Sequence, residues 1–174
     1  MARSNRLRQT VPMETAPIDP GVDIGHVHLK VADLERAVAF YRDVLGFEVT
    51  ARVPGAAFLS AGGYHHHIGL YTWSSQGGSA PPARSTGLYH AAIRYPSRRA
   101  LANALRRLML AGIPLDGAAD HGVSEALYLH DPDRNGLELY RDRPREEWPQ
   151  GPDGAFLIVT EPLDLSNLLS EDAT

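Results

Sequence analysis

The sequence of 174 residues contains no cysteine. This absence excludes disulfides, thiolate metal sites, iron–sulfur clusters and cysteine nucleophiles. Any metal ion bound by this chain must therefore be held by nitrogen and oxygen ligands.

Long apolar runs and an excess of basic charge are also missing. No stretch approaches the roughly 18 to 20 apolar residues of a membrane helix, and the N-terminus lacks the apolar core of a secretory signal. The formal net charge is -4, so no basic field attracts the chain to nucleic acid or acidic lipid. We therefore expect a cytoplasmic protein with neither nucleic acid nor membrane as a partner.

The composition is sufficient for one globular domain, because 43% of the residues are hydrophobic. Residues 22–149 form the expected domain. Residues 1–21 show no apolar periodicity and are predicted to be a flexible arm. Residues 150–174 form an extension with a predicted short helix at 162–169, which either packs on the domain or contacts a second copy.

The expected domain consists of two halves with the same order of elements. Each half, 22–73 and 87–149, is predicted to contain a strand, a helix and three further strands (βαβββ). Residues 74–86 form a linker rich in serine, glycine and proline between them. This repeat predicts an α+β fold of two tandem modules.

Three residues at equivalent strand positions form a candidate metal site. Alternation along the strands turns His26 of the first half and His90 of the second away from their apolar neighbours. Glu138, between Leu137 and Leu139, is turned in the same way. Each histidine alone would be an ordinary polar residue on a half-buried strand, but the matching positions favour a metal site. Two imidazoles and one carboxylate are typical of non-haem Fe(II), and Mn(II) accepts the same ligands.

The paired halves and these three residues resemble the vicinal oxygen chelate superfamily, which includes glyoxalase I, bleomycin-resistance proteins and type I extradiol dioxygenases. The resemblance covers roughly residues 23–149 and implies a barrel-like mixed sheet in which the two modules surround a metal ion. Its motifs are Gly25-His26-Val27, Asp33 to Ala37, Phe40 to Phe47 and Asp131 to Tyr140.

Finer features resemble the catechol 2,3-dioxygenase-like branch of that superfamily. Members similar to glyoxalase I carry a fourth ligand, usually Glu, where this chain has Gly69. Its absence frees a coordination position for a diol that binds through both oxygens. The stretch from His121 to Tyr128, followed by Glu138, resembles the part of extradiol dioxygenases that holds a histidine near the metal, a tyrosine and the carboxylate ligand. The resemblance implies catalytic and substrate-binding roles for His121 and Tyr128.

A run of three histidines, His65-His66-His67, precedes the strand that contains Gly69. It resembles the place where extradiol enzymes keep an acid/base histidine, and alignment on Gly69 assigns this role to His66. Strict alternation instead turns His65 and His67 toward the metal and His66 away. A bulge would reconcile the two interpretations, and His67 is the second candidate. His28 shares the inferred cavity face and is a candidate substrate contact.

The resemblance therefore implies a type I extradiol ring-cleaving dioxygenase. Fe(II), or alternatively Mn(II), would be held by His26, His90 and Glu138 and would bind a catechol-type aromatic diol and O2. Two alternatives stay open: a metal-dependent glyoxalase-like isomerase or lyase, and a metal-free protein of the same fold that binds a small molecule such as an antibiotic. Many two-module members pair, so we expect a homodimer, with the site within one chain or between two.

Overall fold

The computed structural model describes residues 17–82 and 84–171, so most of the expected N-terminal arm lies outside the described residues. The first module contains β1 (Val27–Lys30), α1 (Leu34–Ala39) with a π-helical turn (Phe40–Val44), β2 (Glu48–Val53), β3 (Ala56–Ser60) and β4 (Ile68–Tyr71). The second contains β5 (Ala91–Arg94), α2 (Arg98–Leu110), β6 (Gly117–Asp120), β7 (Ser124–His130) and β8 (Gly136–Asp142). A 3-10 turn (Arg145–Glu147), β9 (Glu161–Pro162) and α3 (Leu165–Leu169) follow. The predicted pair of βαβββ units is confirmed.

Each module forms its own mixed sheet. The first has the strand order β1-β4-β3-β2, and the second has the order β5-β8-β7-β6-β9. In each sheet the first strand is parallel to its neighbour, β1 to β4 and β5 to β8, and the other pairs are antiparallel. Among the described strands, β1 and β5 therefore lie at sheet edges in equivalent positions.

Short polar residues begin the two main helices. The carboxylate of Asp33 accepts a hydrogen bond from the backbone N–H of Arg36 at 3.0 Å, and the hydroxyl of Ser97 accepts one from Ala100 at 3.1 Å. Gly112, with a φ of 65°, follows α2 in the left-handed conformation that ends many helices. None of the helices in the described part of the chain has the length and apolar character to cross a bilayer.

The apolar faces of both sheets pack against the helices in one continuous core. Burial of each large apolar side chain contributes about 1.5 to 3 kcal/mol to stability. The polar face of β1 is left uncovered, with His28 and Lys30 exposed and Leu29 buried between them, as alternation predicts. Fully buried side chains of the core include Tyr41, Leu59, Leu70, Leu105, Leu127 and Leu139.

The loop between β7 and β8 ties the second module to the first. The hydroxyl of Tyr41 donates to Asp131 Oδ2 at 3.1 Å inside the core. Asp133 Oδ1 accepts hydrogen bonds from the backbone N–H of Ala32 at 2.8 Å and from Arg36 Nη2 at 2.7 Å. These contacts surround α1 and the end of β1, so they leave the polar faces of the sheets open.

The C-terminal extension packs on the second module. Strand β9 pairs with β6, and α3 lies against α2 with Leu168 fully buried. Arg98 donates to Glu171 Oε1 at 2.8 Å, and Arg106 donates to the carbonyl of Leu169 at 2.8 Å. The predicted short helix therefore packs on the domain, the first of its two interpretations.

The buried Tyr41 predicts a loss of stability in alkali. Burial, followed by the nearby Asp131, raises the pKa of Tyr41 well above its usual value. The folded state then retains a proton that the unfolded chain releases near pH 10, so this stability is present below pH 10 and is lost as the pH rises further. We expect the Tyr41→Phe variant to lose stability less steeply than the wild type above pH 10, by up to about 1.4 kcal/mol per pH unit.

Urea denaturation between pH 8 and 11.5 measures this slope. Burial also raises the pKa of Tyr95 to about 12, so part of the slope persists in the variant. Leu105→Ala is the matched control, because it removes about 2 to 5 kcal/mol of core packing without removing a titratable group. Parallel profiles for the wild type and Tyr41→Phe would contradict the prediction.

Candidate metal centre

Two of the predicted ligands meet on the second sheet. Leu137 and Leu139 point into the core, which turns Glu138 of β8 to the polar face, and His90 comes directly before β5. His90 Nε2 lies 3.0 Å from Glu138 Oε2. Two ligand atoms that are each about 2.1 Å from one ion, at roughly a right angle, lie about 3.0 Å apart. The two atoms therefore have the separation of neighbouring ligands on one metal ion.

Tyr128 and His121 extend this pair into a hydrogen-bonded chain. Tyr128 is the cross-strand partner of Glu138, and its hydroxyl donates to Glu138 Oε1 at 3.0 Å. His121 Nε2 lies 2.7 Å from the same hydroxyl, and its Nδ1 lies 2.8 Å from the carbonyl oxygen of Val159. Burial and the hydrogen bond to Glu138 raise the pKa of Tyr128 to about 12, so its hydroxyl keeps its proton at neutral pH.

The neighbours of His121 fix its tautomer. The carbonyl of Val159 can only accept, so Nδ1 of His121 donates to it. Nε2 of His121 is then directed at the hydroxyl of Tyr128, which donates to the carboxylate of Glu138.

Three imidazoles form a second cluster on the first sheet. The ligand nitrogens of His26, His28 and His66 all lie within 4.8 Å of one another. His28 Nε2 and His66 Nε2 are 3.1 Å apart, and the His26 ring is stacked on the His28 ring at 4.9 Å. Burial, followed by the neighbouring His26, lowers the pKa of both His28 and His66. A lowered pKa favours the neutral ring, the form in which a ring nitrogen binds a metal.

His66, rather than His67, lies beside His26. Strand β4 begins only at Ile68, so alternation along the strand does not extend back to the three histidines, and its prediction that His66 turns away is wrong. Nδ1 of His67 instead lies 3.1 Å from the hydroxyl of Ser60, on the other side of the loop. The position agrees with the choice of His66, while its acid/base role stays a prediction.

The predicted triad is divided within one chain. Among the described residues, the group of three potential ligands within 4.8 Å contains His26 but neither His90 nor Glu138. The polar faces that carry them belong to two separate sheets. Alternation gives the direction of Glu138 within its own sheet but says nothing about the distance between sheets.

The register of the two parallel strand pairs explains why position 69 is a glycine. In the second module Ala92 is the partner of Glu138, and in the first module His28 is the partner of Gly69. A Cβ atom on Gly69 would lie 2.5 Å from Cδ2 of His28. The imidazole of His28 therefore occupies the space above Gly69. In the first module the large side chain of the matched pair comes from β1, whereas in the second module it comes from β8. Sequence reasoning identified Gly69 as a missing ligand but did not find that His28 fills its place.

We expect Gly69→Ala to displace the exposed His28 ring and to destabilise the fold by about 0.5 to 1.5 kcal/mol, the cost of a side chain held off its rotamer. Urea denaturation gives the loss, and the ring resonances of His28 report the displacement. In the double variant His28→Ala/Gly69→Ala the added methyl group has free space, so most of the stability should return. Additive losses in the double variant would show that the ring and the glycine are not coupled.

Comparison with known proteins gives a family profile and several relatives. The profile of the Glyoxalase/Bleomycin resistance protein/Dioxygenase superfamily matches residues 23–139. The catechol-2,3-dioxygenase of Bacillus subtilis (strain 168) is 43% identical over 149 residues, which are 85% of this chain and 51% of that protein. Biphenyl-2,3-diol 1,2-dioxygenase 3 of Rhodococcus globerulus is 34% identical over 122 residues, or 68% of this chain and 63% of that protein. The chain thus spans about half the length of the Bacillus protein.

Solved structures share the fold. Lactoylglutathione lyase from Agrobacterium tumefaciens superposes with a TM-score of 0.55 at 25% identity, over 71% of this chain and 96% of that one. A glyoxalase/dioxygenase from Nostoc punctiforme superposes with a TM-score of 0.59 at 19% identity, over 74% of this chain and 98% of that one. The second similarity concerns the fold alone.

Proposed function

The chain belongs to the Glyoxalase/Bleomycin resistance protein/Dioxygenase superfamily, and from this we infer that it is an extradiol dioxygenase that opens a catechol-type diol with O2. The observation that carries the proposal is the connected set of His90, Glu138, Tyr128 and His121. It joins a pair of neighbouring ligands to two hydrogen-bonding side chains at the same face. The dioxygenase names of the Bacillus and Rhodococcus relatives support the same activity.

In this proposal His26, His90 and Glu138 hold an Fe(II) ion, for which Mn(II) is the alternative. His90 and Glu138 already have the spacing of neighbouring ligands, and Tyr128 orients the carboxylate as outer-shell partners of metal ligands do. When bound, the ion supplies open positions for the diol oxygens and O2 and the redox chemistry between them.

The chain's own groups bind the diol and move its protons. His66, whose ring lies 4.5 Å from that of His26, takes a proton from the diol and later returns it. Tyr128 contacts a diol oxygen when its hydroxyl turns from Glu138 to the substrate, and His121, whose Nε2 lies 2.7 Å from that hydroxyl, positions it. His28 borders the same face and contacts the substrate. His67 is the second candidate for proton transfer, although its ring faces Ser60.

A metal-dependent isomerase or lyase is the second candidate function, which the similarity to lactoylglutathione lyase from Agrobacterium tumefaciens favours. The absence of a carboxylate at Gly69 weighs against it.

The third candidate is a metal-free binding protein of the same fold. Its activity would not require the pairing of His90 with Glu138. We also propose that the protein is located in the cytoplasm.

We further propose that the working unit is a homodimer in which His26 of one chain meets His90 and Glu138 of its partner. Within one chain these ligands are divided between two open sheet faces. Apolar side chains flank both half-sites and are largely exposed: Ile24 at 94% and Tyr89 at 88%. Exposed apolar groups beside an incomplete polar site are typical of a surface that a second copy covers.

Oxygen uptake by the Fe(II)-loaded protein with a panel of catechols tests the activity. We expect O2 consumption coupled to a coloured ring-opened product. Glu138→Gln should lower kcat/KM on the order of 100-fold or more, because it removes a charged ligand. The same change at exposed Glu146 is the matched control. Tight metal binding without O2 consumption by any diol would exclude the dioxygenase and favour the isomerase or lyase.

A heterodimer of His26→Ala and Glu138→Gln chains tests whether the site is shared. The two parent variants should be inactive, while the heterodimer, purified through two different tags, contains one intact intersubunit site of two. We therefore expect about half of the wild-type activity per dimer. An inactive heterodimer of folded chains would place the site within one chain.

A further inference from the structure

We propose that His26, His28 and His66 form a divalent-metal site of their own in the first module, independent of His90 and Glu138. All three ligand nitrogens lie within 4.8 Å of one another, so one ion can reach all of them with small side-chain rotations. The 3.1 Å between His28 Nε2 and His66 Nε2 is close to the separation of two nitrogens bound at about 2.1 Å to one ion.

Backbone structure positions the three histidines without a bound ion. His26 precedes β1 and His28 lies within it, two residues apart and therefore on one face. His66 belongs to the loop before β4, which is fixed on both sides by the neighbouring His67. The N–H of His67 donates to Leu59 at 2.8 Å, and its carbonyl accepts from Val27 at 2.9 Å.

Two further contacts orient the rings. Gly69 leaves the space that the His28 ring occupies, since a Cβ atom there would lie 2.5 Å from it. Nδ1 of His66 lies 2.8 Å from Nδ1 of His65, which leaves Nε2 of His66 directed at the cluster. A ligating histidine commonly has such a partner on its second nitrogen.

The ligand set consists of imidazoles alone. The group contains three imidazoles and no carboxylate of the described residues. Imidazole suits Zn, Cu, Ni and Fe, whereas carboxylates suit Mn(II) and Mg(II), so this site disfavours Mn(II), the alternative ion of the mixed centre. His26 is common to this site and to the proposed catalytic centre. An ion on the three imidazoles would withdraw His26 from that centre and occupy Nε2 of His66.

Zinc titration of the tag-free, metal-stripped protein tests the proposal, with a chromophoric chelator as competitor. We expect Glu138→Gln and His90→Ala, in which the mixed centre lacks a ligand, each to retain one Zn(II), because neither residue belongs to the site. In the Glu138→Gln background, His28→Ala should weaken that binding by at least 10- to 100-fold, which is the usual loss for an outer-shell partner alone. His67→Ala is the matched control and should retain the affinity, because its ring faces Ser60.

Gly69→Ala keeps all three ligands but displaces the His28 ring, so it should also weaken zinc binding by 10-fold or more. Cu(II) bound to Glu138→Gln should show an electron paramagnetic resonance spectrum with hyperfine splitting from three nitrogens.

The proposal is overturned if Glu138→Gln abolishes zinc binding, or if His28→Ala and Gly69→Ala, each made in the Glu138→Gln background, both bind zinc as Glu138→Gln alone does. These titrations contain neither diol nor O2. A failure of oxygen uptake therefore leaves this proposal intact, and a failure of zinc binding leaves the dioxygenase proposal intact.

Discussion

The buried carboxylate of Asp131 joins the two modules inside their common core. It accepts hydrogen bonds from Tyr41 of the first module and from Asn135 and Asp133 of its own loop. Burial raises the pKa of Asp131, while these hydrogen bonds lower it. Because the same loop leads directly into β8, the contact also sets where Glu138 stands relative to the first sheet.

Much of the fold was predictable because it depends on local patterns. Alternation in β1 and on either side of Glu138 gives the buried faces, and Asp33, Ser97 and Gly112 mark helix ends by their own chemistry. The internal repeat then gives the second module from the first. The addition of β9 to the second sheet was not predictable, since two residues carry no periodic signal.

The candidate site was predictable to the extent that it lies within one sheet. His90 and Glu138 follow from alternation, Tyr128 follows from the family resemblance, and the structure joins the three. The position of His26 relative to them depends on how two sheets are arranged, which periodicity does not encode. The pairing of His28 with Gly69 depends on register, which becomes visible only when strands are matched.

The hydrogen bond from His121 to Val159 gives the C-terminal segment a part in the chemistry. Val159 lies beyond the end of the internal repeat, yet its carbonyl determines which ring nitrogen of His121 carries a proton. A duplicated module alone would supply the histidine and the tyrosine without this control of tautomer. The hydrogen-bonded network is therefore longer than the repeated module, and a chain shortened at Pro149 would keep every side chain of the network while losing the acceptor that fixes the tautomer of His121.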